Sequence, residues 1–370
     1  MTFGMASAIW PPQQEAALKA VAAWLKRGEP QVFRLFGYAG TGKTTLAKKV
    51  AEDVDGGVAF AAFTGKAALV MRSRGCKDAR TIHSLIYRPR ETDTEEPSFV
   101  LNEDSAVVRS SLVIVDECSM VDAELGRDLL SFGKPVLVLG DPWQLPPVKG
   151  GGFFTEHPPD VMLTEVHRQA AGNPIVHMSM LVREGKRLPL GSYGESLVVE
   201  RKSIDSGIVT AADQLLVGLN RTRRSYNQRM RELLGRSGAF PQAGDKLVCL
   251  RNDRTKGLLN GGIWFVKTAA GTRKKKLALS VVPEDDATRK PLRINVLPEY
   301  FQGLEETLSP QARRDSDEFD YGYALTVHKA QGSQWSRVVL FDESFAFREH
   351  RNRWLYTGIT RASERLIIVV

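Results

Sequence analysis

Residues 37–45 read Gly-Tyr-Ala-Gly-Thr-Gly-Lys-Thr-Thr, which fits the pattern G-x-x-x-x-G-K-[ST]. The run Gln31-Val-Phe-Arg-Leu-Phe36 before it has strand-like residues, and Leu46-Ala-Lys-Lys-Val-Ala51 after it has helical ones. A strand, a glycine-rich turn and a helix in that order leave few folds open. The glycines let successive backbone N–H groups turn toward one anion. The helix that starts there presents its partial positive end to the same point. The segment is therefore expected to cradle the phosphates of ATP, with Gly37, Gly40, Thr41, Gly42 and Thr45 in the turn. Lys43 is expected to reach the β- and γ-phosphates, and the Thr44 hydroxyl to hold Mg2+.

The first half continues in the same rhythm. Val58-Ala-Phe-Ala-Ala-Phe63, Leu112-Val-Ile-Val115 and Pro135-Val-Leu-Val-Leu139 are short continuous apolar runs. Such runs suit parallel strands covered on both faces. Each ends in polar residues or glycine: Thr64-Gly65, Asp116-Glu117 and Gly140-Asp141. Open α/β sheets bind ligands beyond the carboxyl ends of their strands, so these ends should converge on the nucleotide. Asp116 is placed to hold Mg2+, and Glu117 to polarise the water that attacks the γ-phosphate. Gln144 is neutral and can hydrogen-bond both that water and a phosphate oxygen.

At 370 residues the chain suits two domains, expected at 1–159 and 160–370. Strand-like runs return at Arg337-Val-Val-Leu-Phe341 and Leu366-Ile-Ile-Val-Val370. Polar, turn-rich residues 88–106 read as a small insertion in the first domain. Residues 268–318, with short β-like runs and Arg273-Lys-Lys-Lys276, read as a β-rich insertion in the second. The net charge of +8 fits an anionic partner such as nucleic acid. No apolar stretch long enough to cross a membrane is present, and no leader with a basic flank and apolar core. Cys76, Cys118 and Cys249 are scattered without a C-x-x-C pair, which suits a reducing cytoplasm. Residues 220–231 hold five arginines and no acid, either a phosphate-tracking surface or a solvated helix face. Phe63, Phe99, Trp143, Tyr321, Tyr323 and Trp335 are aromatics that stack on bases or sit in the core.

The order of these segments resembles superfamily 1 helicases, most of all the 5′-to-3′ branch of Dda-like and RecD-like proteins. Gln13-Gln14 resembles the adenine-reading glutamine motif, with Gln14 the better aligned. Phe63-Thr-Gly-Lys-Ala-Ala68, Thr81-Ile-His-Ser84 and Asp116-Glu-Cys-Ser119 match further motifs, with Cys118 where alanine is usual. So do Gly140–Val148, Leu163-Thr-Glu-Val-His-Arg-Gln169, Thr326-Val-His-Lys-Ala-Gln-Gly-Ser-Gln334 and Tyr356-Thr-Gly-Ile-Thr-Arg-Ala362. The resemblance implies an α/β fold of two RecA-like domains with parallel sheets and ATP between them, the second domain carrying an SH3-like insertion. It implies that Arg168 and Arg361 reach the nucleotide from the second domain, and that Gly332 lies beside it. It implies single-stranded DNA, or a junction of single and double strands, across both domains. Phe63, Thr64, Lys66 and His83 would touch it on the first, and Asn220, Thr326 and His328 on the second. The insertion at 88–106 stands where this branch carries a strand-separating pin, with Phe99 the candidate at its tip. The activity implied is an ATP-dependent 5′-to-3′ helicase that acts as a monomer with replication or recombination partners. The alternative is a translocase that displaces proteins or drives a partner nuclease.

Overall fold

The computed structural model describes residues 10–89, 99–146, 152–165, 172–253, 255–273, 275–284 and 288–370. The first half supplies strands β1 (Val32–Gly37), β2 (Gly57–Ala62), β3 (Arg80–Thr81), β4 (Tyr87–Pro89), β5 (Phe99–Leu101), β6 (Ser110–Asp116), β7 (Val136–Gly140) and β8 (Val161–Leu163). Six of them form a parallel sheet in the order β3-β2-β6-β7-β1-β8, while β4 and β5 pair as a separate antiparallel hairpin.

Period-two alternation divides each continuous apolar run between two cores. Val32 and Phe36 of β1, Val113 and Val115 of β6, and Val136 and Val138 of β7 pack on one face. Phe33, Leu35, Leu112, Ile114, Leu137 and Leu139 pack on the other, against helices α1 (Pro12–Arg27) and α2 (Lys43–Asp53). Helix α3 (Gly65–Ser73) follows β2 directly.

The second half supplies β9 (Gly191–Tyr193), β10 (Ser196–Val199), β11 (Gln214–Val217), β12 (Lys246–Cys249), β13 (Ile263–Arg273), β14 (Lys276–Pro283), β15 (Leu292–Val296), β16 (Phe319–Tyr321), β17 (Ala324–Thr326), β18 (Trp335–Phe341) and β19 (Ala362–Val369). A second sheet runs β17-β11-β18-β19-β10-β9 and is parallel except at the β9 edge. Helices α4 (Pro174–Arg183) and α6 (Arg351–Ile359) cover one face with Met178, Val182 and Trp354. Helix α5 (Asn220–Leu233) covers the other with Met230.

Two expected boundaries move. Strand β8 pairs with β1, Leu35 opposite Val161, so the first unit runs past 159 to Leu163. The β-rich insertion is wider than 268–318. It is an antiparallel sheet, β15-β14-β13-β12-β16, spanning 246–321 around its own core. Its flanking strands are too short to show alternation, and β12 opens on a lysine that the fold buries.

Candidate nucleotide cleft and nucleic-acid face

Strand β1 ends at Gly37, where a Cβ would lie 2.6 Å from Thr41 Oγ1 and 2.8 Å from Leu163 Cβ. Gly40 and Gly42 then take φ of 80° and 83°, the left-handed region open to glycine, and α2 starts at Lys43. Lys43 Nζ donates to the carbonyls of Gly37 (2.6 Å) and Tyr38 (3.1 Å). Thr44 Oγ1 donates to Asp116 Oδ2 at 3.1 Å. Gln14 is buried and donates to the Thr41 carbonyl at 2.9 Å, so it braces the turn from α1. Gln13 faces elsewhere: its Oε1 accepts from the backbone N–H groups of Thr164 and Glu165, each at 2.9 Å. Thr45 is exposed and does not line the cleft.

Strand β6 delivers Asp116 and Glu117. Glu117 sits at φ 55°, ψ 44°, a left-handed conformation for a residue with a side chain. Burial pushes its pKa up, and the charge of Arg361 pulls it back. Cys118 is buried behind the pair, and a Cβ on Gly140 would lie 2.6 Å from its sulfur, so a thiol there demands glycine in the next strand.

The second unit closes the cleft. Arg361 is 5% exposed and anchored by three donations: Nε to the Thr357 carbonyl, Nη1 to the Ser333 carbonyl and Nη2 to Thr360 Oγ1. A cavity of about 170 Å³ is lined by Lys43, Thr44, Asp116 and Glu117 from the first unit and by Gly332 and Arg361 from the second. Gln144 also lines it, and its Oε1 has no hydrogen-bond partner among the described residues. Arg168 lies outside the described residues.

Sequence reasoning missed the struts. The Tyr356 hydroxyl donates to Asp141 Oδ2 at 2.6 Å and accepts from the Ala39 N–H at 3.2 Å. Gln331 Nε2 donates to the Leu145 carbonyl, and the Leu145 N–H donates to Thr357 Oγ1, each at 3.0 Å. The Arg183 guanidinium lies 3.6 Å from the centre of the Tyr38 ring. Arg74, at the end of α3, lines the cavity and donates to Thr44 Oγ1 at 3.3 Å. Asp141 and Tyr356 stand inside matched motifs, but nothing local pairs them; Arg74 carries no signal at all.

The model of the AAA domain family matches residues 11–201, just over half of the chain. The chain belongs to that family. Residues 321–369 match the UvrD-like helicase C-terminal domain. The ATP-dependent RecD2 DNA helicase of Deinococcus radiodurans is 30% identical over 364 residues, covering 90% of this chain and 46% of that protein. The ATP-dependent DNA helicase dda of Enterobacteria phage T4 is 35% identical over 165 residues, 40% of this chain and 37% of that protein. The chain thus spans about half or less of the curated relatives it matches. The crystal structure of Pif1 helicase from Candida albicans aligns with TM-score 0.59 and 18% identity, over 98% of this chain and 94% of that one. The fold is that of two RecA-like units, and the chain is a member of the AAA domain family.

In this AAA-family chain the expected DNA residues divide. Thr64 caps α3, its Oγ1 accepting from the Ala67 N–H. Lys66 lines a cavity of about 760 Å³ between α3 and the small sheet, with Leu259, Trp264 and Arg289. His83 is exposed and meets Phe99 edge-on at 4.6 Å, and Phe99 is 47% exposed on the β4–β5 hairpin. Asn220 is exposed at the start of α5. His328 is half-buried; burial, and then nearby His350, hold its pKa below the ordinary value. Thr326 is buried, its Oγ1 accepting from the Lys329 N–H. Phe63 packs against the first core, and Tyr321, Tyr323 and Trp335 are buried.

The arginine-rich helix is mostly committed to the fold. Arg223 pairs with Asp320, Arg224 with Glu305, Arg229 with Glu232, and fully buried Arg231 with Asp245. Of these five arginines, only Arg221 is exposed and without an ion pair among the described residues. Of the basic run at 273–276, Lys276 donates to the Asp315 carbonyl. Residues 90–98 of the expected insertion at 88–106 lie outside the described residues.

Proposed function

We propose that this chain is an ATP-driven motor that steps 5′ to 3′ along single-stranded DNA and separates strands. The observation that carries it is the cavity in which Lys43, Thr44, Asp116 and Glu117 of one RecA-like unit meet Gly332 and Arg361 of the other. A site shared between two units changes shape when its ligand changes, and that is the basis of a stepping motor.

The donors fit the substrate. Thr44 and Asp116 offer a hydroxyl and a carboxylate 3.1 Å apart, the hard oxygen ligands Mg2+ prefers beside substrate phosphates. Thr44 and Asp116 would hold the ion, and it would supply positive charge to offset that of the phosphates. Glu117, ionised, takes a proton from the attacking water as its oxygen bonds to the γ-phosphorus and the bond to the ADP oxygen breaks. Gln144, with its spare acceptor, orients that water. Lys43 and Arg361 stabilise the charge on the transferring group, an arginine in such a position being worth roughly 10³–10⁵ in rate. Arg168 is the second arginine of this reading.

DNA would cross the cavity beside Lys66 and the faces carrying His83, Asn220 and His328. Backbone-directed contacts imply little sequence preference and a steep salt dependence. The test pairs DNA-stimulated ATP hydrolysis with strand displacement on 5′-tailed and 3′-tailed duplexes. Displacement from 5′ tails alone is expected; displacement from 3′ tails alone overturns the polarity. The insertion at 88–106 is short in sequence for a pin. It favours a second reading, in which the chain translocates without unwinding; movement with no displacement would select it.

A further inference from the structure

Strands β17, β11 and β18 are neighbours in the second sheet, parallel, and end at one edge. The residues that follow β17 and β11 include His328 and Asn220, the DNA contacts proposed above. The segment that follows β18, Asp342 to His350, has no role in that reading. It carries Phe345, which is 65% exposed, more than any other large hydrophobic residue among those described.

A lone exposed phenylalanine is ordinary on a protein surface. Three features set this one apart. The first is rigidity. Buried Glu343 accepts from the N–H groups of Gly218 (2.7 Å) and Leu219 (3.0 Å) and from Thr222 Oγ1 (2.6 Å), which ties the segment to the start of α5 beside Asn220. Ser344 is held on both sides, its N–H donating to Asp342 and its Oγ accepting from Arg351 Nε. The second is continuity. Phe347, two residues on, stacks on Trp354 with 12° between planes and lies 5.3 Å from the His328 ring. One aromatic is turned into the core beside a proposed DNA contact, and the other is held outward. The third is charge and strain. Arg348, exposed, sits at φ 42°, ψ −111°, a costly conformation for a non-glycine residue that marks functional positions more often than chance. Arg351 follows, with Glu349 the opposing charge beside His350 at 3.8 Å.

We propose that Phe345 is a base-stacking platform for single-stranded DNA, extending the face of the second unit from His328 past Asn220 to the end of β18, with Arg348 supplying charge to the adjacent backbone. Stacking on a fixed aromatic tolerates any base, as a motor that ignores sequence requires. The inference rests on the single-strand motor reading.

The probes are an oligothymidylate and an abasic oligonucleotide of the same length, titrated against the full chain at fixed low salt. Phe345→Ala should weaken the oligothymidylate roughly tenfold, while the abasic strand binds both proteins alike. Phe345→Trp should bind the oligothymidylate at least as tightly as the parent. Unchanged oligothymidylate affinity in Phe345→Ala overturns the platform and leaves the motor standing. An equal loss on both probes overturns base stacking. A parent chain that binds neither probe overturns the motor reading, and the platform with it.

Discussion

Glu117 combines three stresses in one residue: desolvation in a half-buried position, a left-handed backbone and a neighbouring carboxylate. Its raised pKa means that folding favours its protonated form. The stability it contributes is therefore fully present at pH below its unfolded value and is lost as pH rises through its folded value. At neutral pH an ionised Glu117 is a burden on the fold. Glu117→Gln should reduce ATP turnover by about 10²–10⁴-fold with ATP binding retained, and should raise the melting temperature. Unchanged turnover would remove Glu117 as the base. Arg361 is the first cause holding that pKa down, so Arg361→Gln should move the acidic limb of the turnover–pH profile to higher pH. At this scale the sequence was readable wherever partners are letters apart, as in Asp116-Glu117 or Lys43-Thr44. It was unreadable for the Tyr356–Asp141 bond, whose partners stand 215 residues apart, and for Arg74, which no motif marks.

Helix α5 shows how far composition misleads about an element. Five arginines without an acid left open a phosphate-tracking surface or a solvated face, yet most of the acids that bind them come from elsewhere: Asp245 from the turn before β12, Glu305 from the short helical turn after β15, Asp320 from β16. Helical spacing explains the split. Arg223 and Arg231 fall on the face turned to the small sheet, and Arg221 falls outside it. Two substitutions on this helix should therefore behave oppositely. Arg231→Ala takes the nearest guanidinium from buried Asp245 and the donors from the Gly238 and Phe240 carbonyls, and should cost about 3–5 kcal/mol of stability in denaturant unfolding. Arg221→Ala should leave stability within about 0.5 kcal/mol. It should also lower the slope of log affinity against log salt by about 0.7, the share of one neutralised phosphate on a single strand. A stable Arg231→Ala protein would show that the ion pair is not holding the helix to the sheet. The same logic governs the sheets. Continuous apolar runs marked β2, β6 and β7. Strand β16 carries no such run, and it is a strand because it pairs with β12.

The two proposed binding surfaces share elements, and that decides how the molecule as a whole must behave. Helix α3 is capped by Thr64 on the DNA side and reaches the nucleotide cavity through Ala67, Val70 and Arg74. The loop after β17 carries His328 at one end and Gly332, which lines the same cavity, at the other. The two elements touch: a Cβ on Gly332 would lie 2.7 Å from Thr64 Oγ1 and 3.0 Å from Ala67 Cβ, at a φ of 75° that already disfavours a side chain. In the proposed reading, closing the cleft on nucleotide therefore moves the proposed DNA side of both units together. Linkage makes this reciprocal. A non-hydrolysable ATP analogue should change the affinity for oligothymidylate by some factor, commonly about 5–150-fold for coupled sites, and the oligonucleotide should change the affinity for the analogue by the same factor. Gly332→Ala places a methyl group at the contact where the units meet. It should bring that factor toward unity in both titrations, by obstructing the closed arrangement rather than by removing a ligand to either partner. If Gly332→Ala keeps the full factor, the coupling runs through the Tyr356 and Gln331 struts and not through the contact of Gly332 with α3.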